Sequence, residues 1–204
     1  PIGIPVLSSA ANKTRPALLM NLIAAPQRGV LASFALLLVS MMLSAQASAF
    51  DVGGFSYTVI VGTTNVELGG CVSAPCAVKD IVIPATVEDS GTTYSVTSIG
   101  TRAFENNALA SVTIPDSVTS IGDYAFQNNK LAGVTIPDSV TTIGRLAFST
   151  NLLPSVIISD SVTSIGDNAF AANSLTSAAF LGNFGTFNLN MFRYNTNLAT
   201  ITYA

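Results

Sequence analysis

The apolar positions of this chain recur at a fixed interval of 22 residues. Ile114, Ile136 and Ile158 are so spaced, as are Ile99, Ile121, Ile143 and Ile165, and Phe104, Phe126, Phe148, Phe170 and Phe192. Leu109–Lys130 reads LASVTIPDSVTSIGDYAFQNNK and is followed at once by LAGVTIPDSVTTIGRLAFSTNL over Leu131–Leu152. A period of about 20 to 50 residues marks a solenoid, in which each copy buries its apolar face only against its neighbours.

Within a copy the pattern divides in two. Val112 and Ile114 alternate with Ser111 and Thr113, the period of a half-buried strand. The same strand is predicted at Leu131, Val134, Ile136 and at Leu153, Val156, Ile158. Pro115 has no N–H to give a ladder and ends the strand. A second apolar pair, Val118 and Ile121, precedes a turn at Gly122. Asp123 then reads as the cap of a single helical turn over Tyr124-Ala125-Phe126. Ala103, Ala125, Ala147 and Ala169 are small for close approach, and the phenylalanines beside them fill the interior. Asn107, Asn129, Asn151 and Asn173 each follow a Phe by three residues. They are expected to satisfy the backbone of neighbouring coils rather than to bind a ligand.

The segment before the repeats is not periodic. Phe55–Val61 is rich in β-branched and aromatic residues and reads as a strand, with Val66-Glu67-Leu68 as a second. A β segment at this place is expected to cap the first coil, whose open face and sheet edge need cover. Cys71 and Cys76 lie within it, and in an exported protein such a pair is expected to form a disulfide. The first repeat begins at Ile81 and carries extra residues around Glu88–Tyr94, read as an inserted surface hairpin or loop. After Ser174 the copies drift but keep phase: Phe180, Phe184, Phe187 and Met191 replace smaller core residues, and Leu198, Ile201 and Tyr203 start another strand. No polar terminal coil follows, so an incomplete C-terminus is expected.

The N-terminal part reads differently. Residues 1–19 look like upstream read-through, with Met20 the better start. Arg28, the apolar run Val30–Ala45 and Ala47-Ser48-Ala49 then have the order of a secretory signal over residues 20–49, cut before Phe50. The run is shorter than the ~20 residues needed to span a bilayer. The predicted organisation is therefore a leader at 20–49, a β cap at 50–80 and a solenoid at 81–204. Three of the eight basic residues precede Phe50, which leaves five against eleven acidic side chains and a net charge of −6. That balance argues against nucleic acid and against stable association with an anionic membrane.

Catalytic sets are missing. The chain has no His, so neither a Ser-His-Asp nor a Cys-His pair can be built, and no phosphate-cradling glycine motif occurs. No cofactor or metal is predicted and the chain is not expected to be an enzyme. The acids Asp116, Asp138 and Asp160 fall in one row, where carboxylates could bind Ca²⁺ or serve glycoside hydrolysis, but turn support in P-D-S or S-D-S is the expected role. Thr97, Thr119, Thr141 and Thr163 form a column that could order water as an ice-binding face does, against the plainer reading of Thr as a good exposed strand residue.

The pattern L-x-x-V-x-I-P-x-S-V-T-x-I-G-x-x-A-F-x-N-N over residues 81–204 resembles the BspA-like (treponemal-type) leucine-rich repeat, in the form with Asn where other members carry Cys. The resemblance implies a mostly β curved solenoid with short helical turns and a parallel sheet on its concave face. It also implies export or surface display and use in adhesion or protein binding, with no catalytic residues. The binding surface is then expected on the outward positions of the L-x-x-V-x-I strand: Ser111, Thr113, Gly133, Thr135, Ser155, Ile157, Ser177 and Ala179. Alternative readings are the binding end of a longer secreted enzyme and a structural spacer in a surface layer.

Overall fold

Three short strands open the fold: β1 (Ala49–Val52), β2 (Phe55–Val59) and β3 (Asn65–Cys71), paired antiparallel in sequence order. Gly53 and Gly54, both at positive φ, make the two-residue turn that joins β1 to β2. Tyr57, Val66 and Leu68 face inward and are fully buried. Cys71 and Cys76 are joined in a disulfide just beyond β3. This is a computed structural model, and it describes residues 47–73, 75–182 and 189–203. The predicted signal run Val30–Ala45 and the drifted core residues Phe184 and Phe187 lie outside the described residues. Strand β1 is an addition to the sequence reading, which assigns Ala49 to the leader.

The first coil starts with β4 (Asp80–Val82). The extra residues form a hairpin, β5 (Thr86–Asp89) with β6 (Thr92–Ile99), turned by Ser90 and Gly91 at φ 52° and 79°. Two consecutive positive φ values suit the right-handed twist of the flanking strands. The far end of β6 is also the second strand of this coil. The repeats then contribute β7 (Ser111–Thr113), β8 (Ser120–Ile121), β9 (Thr142–Ile143), β10 (Ser155–Ile158), β11 (Ser164–Ile165), β12 (Ser177–Phe180) and β13 (Thr200–Tyr203). They sort into two rows. The second-strand row is continuous, β1-β2-β3-β6-β8-β9-β11, and parallel from β3 onward. The first-strand row is two parallel pieces, β4-β7 and β10-β12-β13. The strand predicted over residues 131–136 joins neither. Gly133 stands there in place of Ser111 and Ser155, and glycine weakens a strand interior. Val134 is only partly buried, whereas Val112 and Val156 are buried.

Between the rows runs the core. Phe104, Phe126, Phe148 and Phe170 are fully buried and stack in file, ring centroids 5.3, 5.2 and 5.4 Å apart. The asparagine column does what its spacing predicts. Asn151 Oδ1 accepts from Leu131 N (3.1 Å), while its Nδ2 donates to Phe126 O (2.9 Å) and Phe148 O (3.1 Å). Asn129 and Asn173 repeat the arrangement, and Asn195 extends it by a coil. Asn107 instead accepts from Cys76 N, tying the disulfide loop to the first coil.

The turn holding Ala125 and Phe126 is not the helix that Asp123 suggests. Arg102, Tyr124, Leu146 and Asn168 all have φ near +60°, as do Asn106, Asn128, Thr150 and Ala172 four residues later. Two left-handed residues per coil exclude an α-helical turn. Alternate N–H groups point in different directions as a result. Arg102, Phe104 and Asn106 donate to Asp123 O, Ala125 O and Gln127 O of the next coil, while Ala103 and Glu105 donate back within their own turn. Asp123 likewise serves its neighbour rather than its own turn, accepting from Arg145 N at 2.7 Å. The one 3-10 turn among the described residues is Leu189–Phe192, where Met191 and Phe192 continue the core.

Candidate binding surface

On the first-strand row the alternation of the repeat decides what faces out. Val112, Val156, Ala178, Ile114, Ile158 and Phe180 are buried, so the residues between them project from the sheet. Ser111, Thr113, Gly133, Thr135, Ser155 and Ile157 are exposed, and Ser177 and Ala179 are half-buried. The pairing sets Ser155 beside Ser177 and Ile157 beside Ala179. Ser111 and Thr113 stand beside Asp80 and Val82 of β4. Gly133 and Thr135 share the phase of this face but no ladder pairing with it.

The face is more apolar than the eight predicted positions suggest. Val82, beside Thr113 in one piece of the row, and Ile157, beside Ala179 in the other, are 70% and 60% exposed. Leu152 and Leu181, next to the strands, are also more than half exposed. Val82 was legible in the sequence, since it alternates with the buried Ile81 and Ile83. Leu152 and Leu181 carry no such signal. The one carboxylate at this face, Asp80, accepts from Ser111 Oγ at 2.6 Å.

The second-strand row presents different chemistry. A shallow groove of about 490 Å³ crosses β8 and β9. Its walls include Glu67, Ser120, Asp123, Thr142 and Arg145, with Gly122 and Gly144 in its floor. At its rim the Tyr124 ring lies between the guanidinium groups of Arg102 and Arg145, at 4.8 and 5.7 Å. The threonine column beside it is committed to the ladder: Thr119, Thr141 and Thr163 each donate their hydroxyl to the carbonyl of the Thr one coil earlier, at 3.1 Å. Asp116, Asp138 and Asp160 are exposed. The serine directly after each bonds the preceding coil: Ser117, Ser139 and Ser161 donate to Val96 O, Val118 O and Val140 O at 2.7, 2.7 and 2.9 Å. Among the described residues no group of three or more His, Cys, Asp or Glu is placed to hold a metal ion. One buried polar atom stands out in the N-terminal strands. The Tyr57 hydroxyl has no hydrogen-bond partner among the described residues, and burial pushes its pKa from 10 up to about 12.

Stacked parallel strands in rows, one coil per repeat, with a stacked Phe column and an asparagine ladder inside, define a leucine-rich-repeat solenoid. Residues 74–199 match the BspA type leucine-rich repeat region in six copies, and the chain belongs to that family. A leucine-rich repeat protein from Bacteroides capillosus ATCC 29799 is 28% identical, with a TM-score of 0.57 over 77% of this chain and 99% of that one. A T. pallidum leucine-rich repeat protein is 20% identical (TM-score 0.53, 76% of this chain and 86% of that one) and shares the fold. So does the pneumococcal vaccine antigen PcpA, at 17% identity and a TM-score of 0.56, over 77% of this chain and 49% of that one. Among curated proteins none matches the chain.

Proposed function

We propose that this chain is a secreted or cell-surface binding module that adheres to a protein through its first-strand face. The carrying observation is the exposed, uncharged set of outward residues on this face, among them Val82, Thr113, Thr135 and Ile157. Small side chains let a partner approach the sheet closely, and the exposed apolar Val82 and Ile157 supply contacts that repay desolvation. Membership of a family of bacterial surface-type repeat proteins supports the reading, as does the leader-like order of residues 20–49. Among the described residues no helix is long and apolar enough to cross a membrane. Residues 50–80 then serve as the cap of the solenoid, and the chain has no His to build the common hydrolytic triads.

The test is a saturable binding isotherm on immobilised cell-surface protein, run on two variants with circular dichroism to confirm folding. Thr135→Arg with Ile157→Glu is expected to abolish binding, because unpaired charge in a closely packed contact is costly while surface substitutions shift stability by only about ±0.5 kcal/mol. Replacing Asp116, Asp138 and Asp160 together with Asn is expected to leave binding intact. The opposite pattern moves the site to the Asp row and to Ca²⁺-linked recognition. No saturable binding by the unaltered chain supports the spacer reading.

A further inference from the structure

We infer that the first-strand row is open at its N-terminal edge to an extended peptide, which binds by adding one strand beside β4. The inference concerns the edge of the row, whereas the reading above places a partner on its face. The N-terminal strands close the two rows unequally. In the second-strand row β3 pairs with β6, and β2 and β1 continue beyond it. In the first-strand row β4 pairs with β7 alone among the described residues. The coil that contains β3 therefore supplies a second strand and no first strand.

The ladder shows which groups are left over. Lys79 O accepts from Ser111 N, and Ile83 N donates to Thr113 O, so Lys79, Ile81 and Ile83 bond toward β7. Alternate residues of a strand bond to opposite sides. The N–H and C=O groups of Asp80 and Val82 thus point away from β7, with no strand beside them. Such a row of groups is a template for strand addition. Proteins blunt it with bulges or proline, and β4 has neither. The side chains of the same two residues are exposed on the outward face. Val82 is 70% exposed, and the Asp80 carboxylate is held at the edge by Ser111 Oγ at 2.6 Å. An added strand stands about 4.7–4.9 Å away, where cross-strand side chains interact. Opposite charge suits the place beside Asp80 and an apolar group the place beside Val82. The occupant is an extended segment with a Lys or Arg two positions from an apolar residue.

The probe is a labelled, end-blocked peptide, TVTKTVT. Its central Lys has Val two places away on both sides, so either orientation sets Lys beside Asp80 and Val beside Val82. Binding to the purified chain is read by fluorescence anisotropy, with circular dichroism on each variant. Saturable binding is expected, and its absence overturns the inference. Val82→Pro removes an outward N–H and leaves the ladder to β7 alone, because proline is tolerated on the free side of an edge strand. It is expected to weaken binding at least about tenfold. Asp80→Lys, which sets like charges side by side, is expected to weaken it as well. Peptides methylated at every second backbone nitrogen, in both phases, test the same bonds whether or not a variant folds. One phase is expected to lose binding. Unchanged binding by Val82→Pro and by both methylated peptides overturns the inference. Thr135→Arg with Ile157→Glu is expected to bind the peptide as the unaltered chain does. A loss there places the peptide on the face, which overturns the edge assignment and leaves the reading above standing. Self-association of the chain that Val82→Pro abolishes makes a second copy the occupant and overturns the peptide.

Discussion

The same 22-residue repeat builds two strand rows that hold together differently. In the second-strand row, Thr119, Thr141 and Thr163 each donate N–H to the Thr carbonyl one coil earlier at 2.8 Å, and the ladder has no break from β3 to β11. Directly after it the coils press closest. A Cβ on Gly122, Gly144 or Gly166 would lie 2.7, 2.5 or 2.3 Å from a backbone nitrogen of the preceding coil. In the first-strand row the ladder breaks at residues 133–136, and a Cβ on Gly133 would meet nothing within 4 Å. Glycine is thus a steric necessity in one row and a gap in the other. The coils therefore approach most closely at the second strand and the turn after it, and the proposed binding face lies on the row whose ladder is interrupted.

The strongest test of that contrast is Gly144→Ala. The added methyl has backbone, not a flexible side chain, in its way, so the coils must separate, at a cost of about 3 kcal/mol. Chemical denaturation measures it, and a change below about 0.5 kcal/mol would mean the coils are not in contact there. Asn151→Ala follows closely. It leaves Leu131 N without its acceptor, while Phe126 O keeps Asn129 Nδ2 and Phe148 O keeps Asn173 Nδ2. At about 1–3 kcal/mol for a buried donor left unpaired, a loss of about 2 kcal/mol is expected. A negligible loss would place the cohesion of the coils in the ladders alone.

How far the sequence reaches can be judged at particular residues. The Phe and Asn columns were legible because a period of 22 puts identical residues in register, whatever each does alone. The outward positions of the first strand followed from strict alternation. The turn after Gly122 was misread because Asp-Tyr-Ala-Phe looks like a cap and a helical turn. Its left-handed positions are Arg102, Tyr124, Leu146 and Asn168, four side chains with no common preference for positive φ. The inter-coil ladder of Phe104 N with Ala125 O imposes that conformation, and ladders between coils are invisible to local propensity. The bond from the serine of P-D-S to the preceding coil was hidden for a similar reason, since only the stacking places Ser117 on Val96 O.

The N-terminal end of the continuous row provides a pH-dependent test. Tyr57 in β2 is buried with an unpartnered hydroxyl, so its neutral form is favoured in the folded chain, with a pKa of about 12 against 10 ordinarily. The folded state holds this proton where the unfolded state has lost it. Its contribution is present below pH 10 and falls away as pH rises from 10 toward 12. Tyr57→Phe is expected to remove that part of the alkaline decline. At neutral pH it should leave stability unchanged or raise it by up to about 1 kcal/mol, because the buried hydroxyl has no partner to lose. A clear loss at neutral pH would show that the hydroxyl is satisfied after all.

The smallest effect bears most directly on the contrast between rows. If Gly133 alone opens the first-strand ladder, Gly133→Ser supplies the residue found at Ser111 and Ser155, in a position with room for it. Removing the excess freedom of glycine in a strand is worth about 0.5–1 kcal/mol, and the gain should come with slower hydrogen exchange at the amides of residues 133–135. Stabilisation without added protection would mean that the serine acts on the unfolded chain only. The break would then have a cause in the packing of this coil, where Val134 is already lifted partly out of the core. Added protection without loss of partner binding would show that the gap at Gly133 is a tolerated irregularity of the face. Loss of binding on closing the gap would make the open ladder itself part of what the partner recognises.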